Sequence, residues 1–283
     1  MQTPEKQVRI TRAIPGKLEL PNACVRVLSD GISSADAVRS FVSGADALVT
    51  MYTDRVDEEL LNAAGDGLRI VNNFAVGIDN IDLQACKSRG IVVCNTPDAV
   101  TEGTANIAFL LMLSVARRLI EADRYARSEA YPASGQLGMA DFMGIDLCGK
   151  ELLIIGAGRI GYATAQRAKS LGMRIAYVAR TRHLDFEMAP LAARRVELEE
   201  GLRDADVVSI HTPLTPHTKH LINADRLAMM KKDSILVNTS RGPVVDESAL
   251  VDALESGHLW GAGLDVFELE PTVHPGLVAC DRA

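Results

Sequence analysis

The chain has 283 residues, 47% hydrophobic and 24% charged, a composition that excludes an intrinsically disordered chain. Its 30 basic and 37 acidic side chains give a formal net charge of −7, which argues against a general nucleic-acid binder and leaves room only for a local basic pocket. Length favours two domains.

Short aliphatic and β-branched runs alternate with helical patterns along the whole chain, the signature of a parallel α/β architecture. Strands are expected at Val8–Thr11, Cys24–Leu28, Ala47–Met51, Leu68–Asn72 and Ile91–Cys94. Helices are expected between several of them, at Ser34–Phe41, Asp57–Ala64 and Asp82–Arg89. This rhythm predicts a flavodoxin-like sheet over residues 1–99. A long helix then runs from Thr101 to Ser128, with Thr101 as its cap and Glu102 at the positive end of its dipole. Its apolar positions wrap most of the circumference. That places it between domains, between subunits, or in an ordinary core. The most apolar stretch in it, residues 107–116, is about half of the ~20 residues that span a bilayer, so no membrane segment is expected.

A second strand series follows at Glu151–Ile155, Arg174–Val178, Val207–Ile210, Ile235–Asn238 and Gly261–Val266. It predicts a Rossmann-type doubly wound sheet over residues 100–283. Cys24, Cys86, Cys94, Cys148 and Cys280 are scattered and never in CxxC spacing, as expected of reduced thiols in a cytoplasmic protein with no metal or disulfide framework.

The first strand of the second series runs into Gly156-Ala-Gly158-Arg159-Ile160-Gly161, and a helix is expected over Ile160–Leu171. Gly156 suits the tight turn, Gly158 a close approach of backbone to pyrophosphate, and Gly161 close packing of helix on strand. The helix N-terminus then offers N–H groups to the anion. An NAD site would carry Asp or Glu at the end of the following strand. That strand ends instead in Ala179-Arg180-Thr181-Arg182, so the two guanidiniums predict a 2′-phosphate and NADPH over NADH. The alternative is a pair of solvated surface arginines. Farther on, Asn238-Thr239-Ser240-Arg241-Gly242 sets an arginine just past a strand, at the sheet edge where α/β ligands bind.

With Asn73-Phe-Ala-Val76-Gly77-Ile-Asp-Asn-Ile-Asp82, Asn95-Thr-Pro, Thr101-Glu-Gly-Thr104, His211-Thr212-Pro213-Leu and Asp265-Val-Phe-Glu268-Leu-Glu270-Pro271, these motifs resemble the D-isomer-specific 2-hydroxyacid dehydrogenases, glyoxylate/hydroxypyruvate reductase type. The resemblance implies a substrate domain, a Rossmann domain, an active site in the cleft, and a homodimer through the 101–128 helix. Arg241 would hold the carboxylate and ketone oxygen of a small 2-oxoacid, a role its bidentate fork suits in its own right. Val76 and Gly77 would bind the same carboxylate through backbone N–H groups, although a glycine also suits a plain turn. Thr104, Pro213, Thr239 and Asp265 would face the nicotinamide, and Arg159, Ile160, Thr181, Thr212 and Ser240 join the cofactor contacts. Glu270 would pair with the catalytic imidazole and raise its pKa. It is otherwise a loop carboxylate, with Glu268 a nearby competitor.

The family's general acid is a histidine roughly twenty residues beyond Glu270, in a Pro-His pair. None of the six histidines stands there. His274 is too close to Glu270, and Pro216-His217 lies far upstream. His217 and His220 are three apart, but no third ligand for a metal is evident. His183 lies near the expected 2′-phosphate, and His258 fits a helix end. The expectation is a C-terminally truncated member whose two domains lack their last elements and whose turnover is impaired. The other reading is a non-catalytic module that binds a dinucleotide or a partner.

Overall fold

The computed structural model describes residues 5–28, 31 and 33–283, which divide into two compact units, 1–100 and 101–283. The first holds five parallel strands: β1 (Lys6–Ile10), β2 (Ala23–Val27), β3 (Ala47–Thr50), β4 (Ile70–Asn73) and β5 (Val92–Cys94). Their order, β2-β1-β3-β4-β5, is the flavodoxin-like one. Central β3 is buried on both faces, whereas edge strand β2 ends exposed. Helices Ala35–Phe41, Glu58–Ala64 and Leu83–Ser88 each follow a residue whose side chain accepts the N–H three positions on. Ser34 takes Ala37 at 3.2 Å, Asp57 takes Leu60 at 3.1 Å and Asp82 takes Ala85 at 2.9 Å. The residues expected to begin these helices are therefore their caps. Val42, Leu48, Leu61, Leu68 and Val71 fill the core between sheet and helices.

The second unit holds six parallel strands: β6 (Glu151–Ile155), β7 (Arg174–Val178), β8 (Arg194–Arg195), β9 (Val207–Ile210), β10 (Ile235–Asn238) and β11 (Gly261–Leu264). They lie in the order β11-β10-β9-β6-β7-β8. Two series wind outward from adjacent β6 and β9, which makes the space beyond their carboxyl ends the switch point of the sheet. The alternative faces of this sheet bury Leu153, Ile155, Val208 and Leu236 on one side and Leu152, Ile154, Val207 and Val237 on the other. Strand β8 is missing from the sequence expectation because two arginines carry no apolar run. Strand β11 ends two residues earlier than expected.

The single helix expected over 101–128 is two helices, Thr101–Ala116 and Leu119–Ala126, meeting at 62°. The break has a steric cause. A later segment crosses the helix end, where Ile145 N donates to Ala116 O at 2.7 Å and occupies the carbonyl a continuing helix would use. A Cβ on Gly144 would sit 2.4 Å from that same oxygen. Arg118 turns left-handed at φ 52° and pairs with Glu121. The expected cap hydroxyl, Thr101 Oγ1, is buried without a hydrogen-bond partner. Ala105, Ala108, Met112 and Ala116 form the buried stripe, which packs on the helix Arg159–Ser170 and on β10 and β11. The glycines of β11 allow that approach, since a Cβ on Gly263 would lie 2.7 Å from Leu111 Cβ. Among the described residues no single helix is long and apolar enough to cross a membrane.

This burial predicts an asymmetry along one helix. Met112→Ala should lower unfolding stability by about 2–5 kcal/mol. Leu110→Ala, at a position 54% exposed in the chain, should change it by about 0.5 kcal/mol or less in the monomer. Urea unfolding of the two variants checks the contrast.

Candidate active site

The loop after β6 is shaped by backbone proximity. Gly156 has φ 105°, and a Cβ there would lie 2.6 Å from His211 O and 2.7 Å from His211 C, at the end of β9. A Cβ on Gly161 would meet Gly156 O at 2.3 Å and Ile154 Cγ2 at 3.0 Å. Between them Gly158 differs, because nothing lies within 4 Å of its would-be Cβ. Gly156 and Gly161 are thus required by the protein's own packing, and Gly158 borders open space. Gly158 also caps the helix Arg159–Ser170 without a side-chain hydrogen bond. The helical ladder begins with Tyr162 N donating to Gly158 O at 2.9 Å, so the first-turn N–H groups of Ile160 and Gly161 lie ahead of it.

The parallel register brings the ends of β7, β9, β10 and β11 to the same edge. Thr212 Oγ1 and Thr239 Oγ1, just past β9 and β10, are buried without partners. Buried hydroxyls normally find one. An open glycine turn with two orphaned hydroxyls fits a dinucleotide whose polar edge would complete them. Arg159 and Pro213 are exposed and Ser240 is half-buried, its Oγ donating to Asn238 Oδ1 at 2.8 Å. Thr104 lies in the opening turns of the helix Thr101–Ala116. That helix is fastened to the helix Arg159–Ser170 by Arg167, whose Nε donates to Asn106 Oδ1 at 2.8 Å and Nη2 to Glu102 Oε2 at 2.6 Å.

Past β7 the two arginines diverge. Arg182 Nε donates to Glu187 Oε2 at 2.6 Å, and Glu187 also accepts from the buried Tyr177 hydroxyl at 2.8 Å. These bonds, first with Arg182 and then with Tyr177, hold the Glu187 carboxyl below its usual range. The exposed Arg180 guanidinium makes no hydrogen bond or ion pair among the described residues. Arg195, from unanticipated β8, donates to Ala179 O at 3.0 Å and supports this strand end. Thr181 is exposed, with its Oγ1 3.5 Å from His183 Nε2. Sequence reading missed Glu187 because it lies in a short helix, Leu184–Glu187, away from the strand end where the ribose carboxylate is sought.

Arg241 introduces a short 3-10 turn, Gly242–Val244. Asn238 shapes the approach, donating from Nδ2 to Arg241 O at 3.0 Å and accepting Ser240 N at 3.0 Å. Arg241 Nη1 donates to Ser240 O at 2.7 Å. Asp265 N donates to Asn238 O at 3.0 Å, tying the β11 loop to this turn. Partial desolvation, reinforced by the Glu270 carboxylate, holds the Asp265 carboxyl above its usual value. Glu270 Oε1 accepts from Phe267 N at 2.9 Å, and among the described residues Glu270 makes no hydrogen bond with any of the six histidines.

In the first unit, the loop after β4 carries Val76 and Gly77. Its carbonyls are taken by asparagines: Asn95 Nδ2 donates to Val76 O and Asn73 Nδ2 to Gly77 O, both at 2.8 Å. The N–H groups of Val76 and Gly77 bond to nothing among the described residues. Buried Asn73 also accepts Thr50 Oγ1 at 3.1 Å and meets Asn80, whose Nδ2 bridges Met51 O and Asp54 O. That network joins the 51–54 loop to the 74–80 loop.

The histidines have separate tasks. His274 Nδ1 accepts Gly276 N at 3.1 Å as a helix cap, and His258 Nε2 lies 3.2 Å from Leu227 O. His220 pairs with Glu268 at 2.6 Å and not with His217. No group of three metal-ligating side chains occurs among the described residues. His211 Nε2 lies 2.9 Å from Ser209 Oγ, and burial pushes this imidazole down to about 4.

Residues 109–283 match the family described as D-isomer specific 2-hydroxyacid dehydrogenase, NAD binding domain. A glyoxylate reductase of Thermococcus onnurineus is 45% identical over 281 residues, covering 98% of this chain and 84% of its own. One from Thermococcus litoralis is 49% identical over 232 residues, 81% of this chain and 69% of its own. Among solved structures, a protein from Thermus thermophilus superposes with a TM-score of 0.88 at 42% identity, covering 98% of this chain and 87% of that one. A glyoxylate reductase from Paecilomyes thermophila gives 0.86 at 31% identity, with 99% and 87% coverage.

Two outcomes follow from this geometry. Gly158→Ala should leave stability within about 0.5 kcal/mol yet weaken dinucleotide binding at least ~10-fold, whereas Gly161→Ala should fail in stability. Thermal unfolding beside nucleotide titration separates them. For His211 the unfolded imidazole, near 6.5, binds its proton before the folded one near 4. Its contribution to stability is therefore whole above pH 6.5 and is lost as pH falls toward 4. Urea unfolding at pH 7 and pH 5 should show a drop of on the order of 1–2 kcal/mol that His211→Gln removes.

Proposed function

The chain belongs to the D-isomer specific 2-hydroxyacid dehydrogenases, and from that premise we propose that it reduces a small 2-oxoacid of the glyoxylate or hydroxypyruvate kind, with NADPH preferred over NADH. It is a hydride-transfer oxidoreductase with a nicotinamide cofactor. The observation that carries the finer reading is the meeting, at one sheet edge, of an open glycine turn, two orphaned hydroxyls and two arginines after β7 and β10.

Gly158 keeps space clear for a pyrophosphate, and the first-turn N–H groups of Ile160 and Gly161 receive its charge. Thr212 and Thr239 offer their hydroxyls to the nicotinamide half, with Thr104, Pro213 and Asp265 beside them. Arg180 binds the 2′-phosphate, while Arg182 stays with Glu187 and acts through charge. The bound nicotinamide supplies the hydride that the ketone carbon accepts. Arg241 forks onto the carboxylate and ketone oxygen, orienting the acid and drawing electron density from its carbonyl carbon. In the first unit, the backbone N–H groups of Val76 and Gly77, which bond to nothing among the described residues, suit carboxylate oxygens. Glu270 offers a carboxylate that would keep an imidazole charged, but none of the six histidines hydrogen-bonds it among the described residues, so the new alkoxide takes its proton from water. A second copy covers Leu110, Leu119 and Ile120, exposed at 54, 51 and 58%, in a homodimer. The five free cysteines suit a cytoplasmic setting.

NADPH should bind at least ~10-fold tighter than NADH, and Arg180→Ala should abolish the difference by weakening NADPH alone. Calorimetric titration reads this, and an NADH preference that persists in the variant contradicts it. Arg241→Ala should lower kcat/KM for glyoxylate by about 10²-fold or more without changing NADPH affinity. Equal loss for cofactor and glyoxylate would remove Arg241 from the substrate.

A further inference from the structure

We propose that His220 and Glu268, neither assigned to substrate or cofactor, are positioning residues that hold Arg241 against the Glu270 loop. The inference rests on the reading of Arg241 and Glu270 given above. Three chain segments meet around the turn that Arg241 opens. On one side, His220 N donates to Pro243 O at 2.8 Å and Ile222 N to Val244 O at 3.0 Å, so residues 220–222 run along the turn. On the other, a Cβ on Gly242 would lie 1.9 Å from Phe267 C and 2.4 Å from Glu268 N, so the turn and the loop touch backbone to backbone. Glu268 N also donates to Glu247 Oε1 at 2.7 Å, and Glu247 is only 5% exposed at the start of the helix Glu247–Glu255.

The third side of the triangle is made by side chains alone. His220 Nε2–H donates to Glu268 Oε1 at 2.6 Å, joining the segment after β9 to the loop after β11. Glu268 therefore fastens that loop through its backbone to Glu247 and through its carboxylate to His220. Two residues later, Glu270 takes the Phe267 N–H. The loop needs such fastening, because Leu269 at its tip is 73% exposed and its internal closures, the Leu269–Thr272 bridge and the Phe267–Glu270 bond, tie it only to itself. A shift of the loop moves Phe267 against Gly242, and thereby moves the residue next to Gly242, Arg241. A fork that must meet two oxygens of one small acid tolerates little such movement.

The test compares His220→Asn, Glu268→Ala and Glu268→Gln in the full chain. Asparagine suits His220 because that residue is left-handed, at φ 47°, and the shorter side chain breaks the pair without backbone strain. Oxamate, an unreactive mimic of a 2-oxoacid, is titrated into NADPH-saturated protein by calorimetry, and NADPH is titrated alone. His220→Asn and Glu268→Ala should weaken oxamate at least ~10-fold with NADPH affinity within about twofold, and Glu268→Gln, which still accepts a hydrogen bond, should recover most of it. Unchanged oxamate affinity in the first two variants, or equal loss of both ligands, overturns the proposal. If the unaltered protein binds NADPH but not oxamate, the reading of Arg241 fails. Amide exchange then decides the brace, since unaltered protection of residues 241–247 and 266–270 in His220→Asn overturns it and faster exchange in both supports it.

Discussion

The second unit is organised by one close approach. Where β6 and β9 part, the backbone of Gly156 lies so near that of His211 that no Cβ fits between them. Gly161 then packs on Gly156 O, so strand, turn and helix are locked over six residues. Because that packing uses only glycine backbone, the helix start faces open space at Gly158 instead of a side chain. Beside this contact, desolvation keeps the His211 imidazole neutral well below the usual range. Thr212, immediately after it, is left with a buried hydroxyl and no partner. Stability and binding capacity in this region thus come from the same contacts.

A comparable contact organises the far side of the sheet edge. Gly242 against the Phe267–Glu268 peptide brings the β10 turn onto the β11 loop, and buried Glu247 accepts the N–H exposed by that meeting. The first unit solves its loop problem by another route. There Asn73 and Asn80 satisfy carbonyls from the inside, which shapes the Val76–Gly77 turn without any close backbone approach.

Legibility in the sequence followed the range of the forces involved. Strands such as Leu-Leu-Ile-Ile announce themselves because both faces are buried, and Ser34, Asp57 and Asp82 announce helices because a cap acts only three residues away. The glycine turn was readable for the same reason. What escaped depends on residues distant in sequence. The bend at Arg118 is imposed by Gly144 and Ile145, and β8 exists because its backbone completes a sheet edge. Glu187 claims Arg182 through a turn that no motif encodes, so the two arginines that looked equivalent are not. His220 and Glu268 are 48 residues apart, and neither motif hints at the other.

We propose that the turn between β6 and its helix receives a dinucleotide pyrophosphate, with Arg180 meeting the 2′-phosphate. A crystal structure of the protein grown with NADPH tests it most directly. Pyrophosphate oxygens should lie within hydrogen-bond distance of the N–H groups that open the helix Arg159–Ser170, and the 2′-phosphate should lie on the Arg180 guanidinium. A nucleotide bound elsewhere, or one whose 2′-phosphate points to solvent away from Arg180, would contradict it.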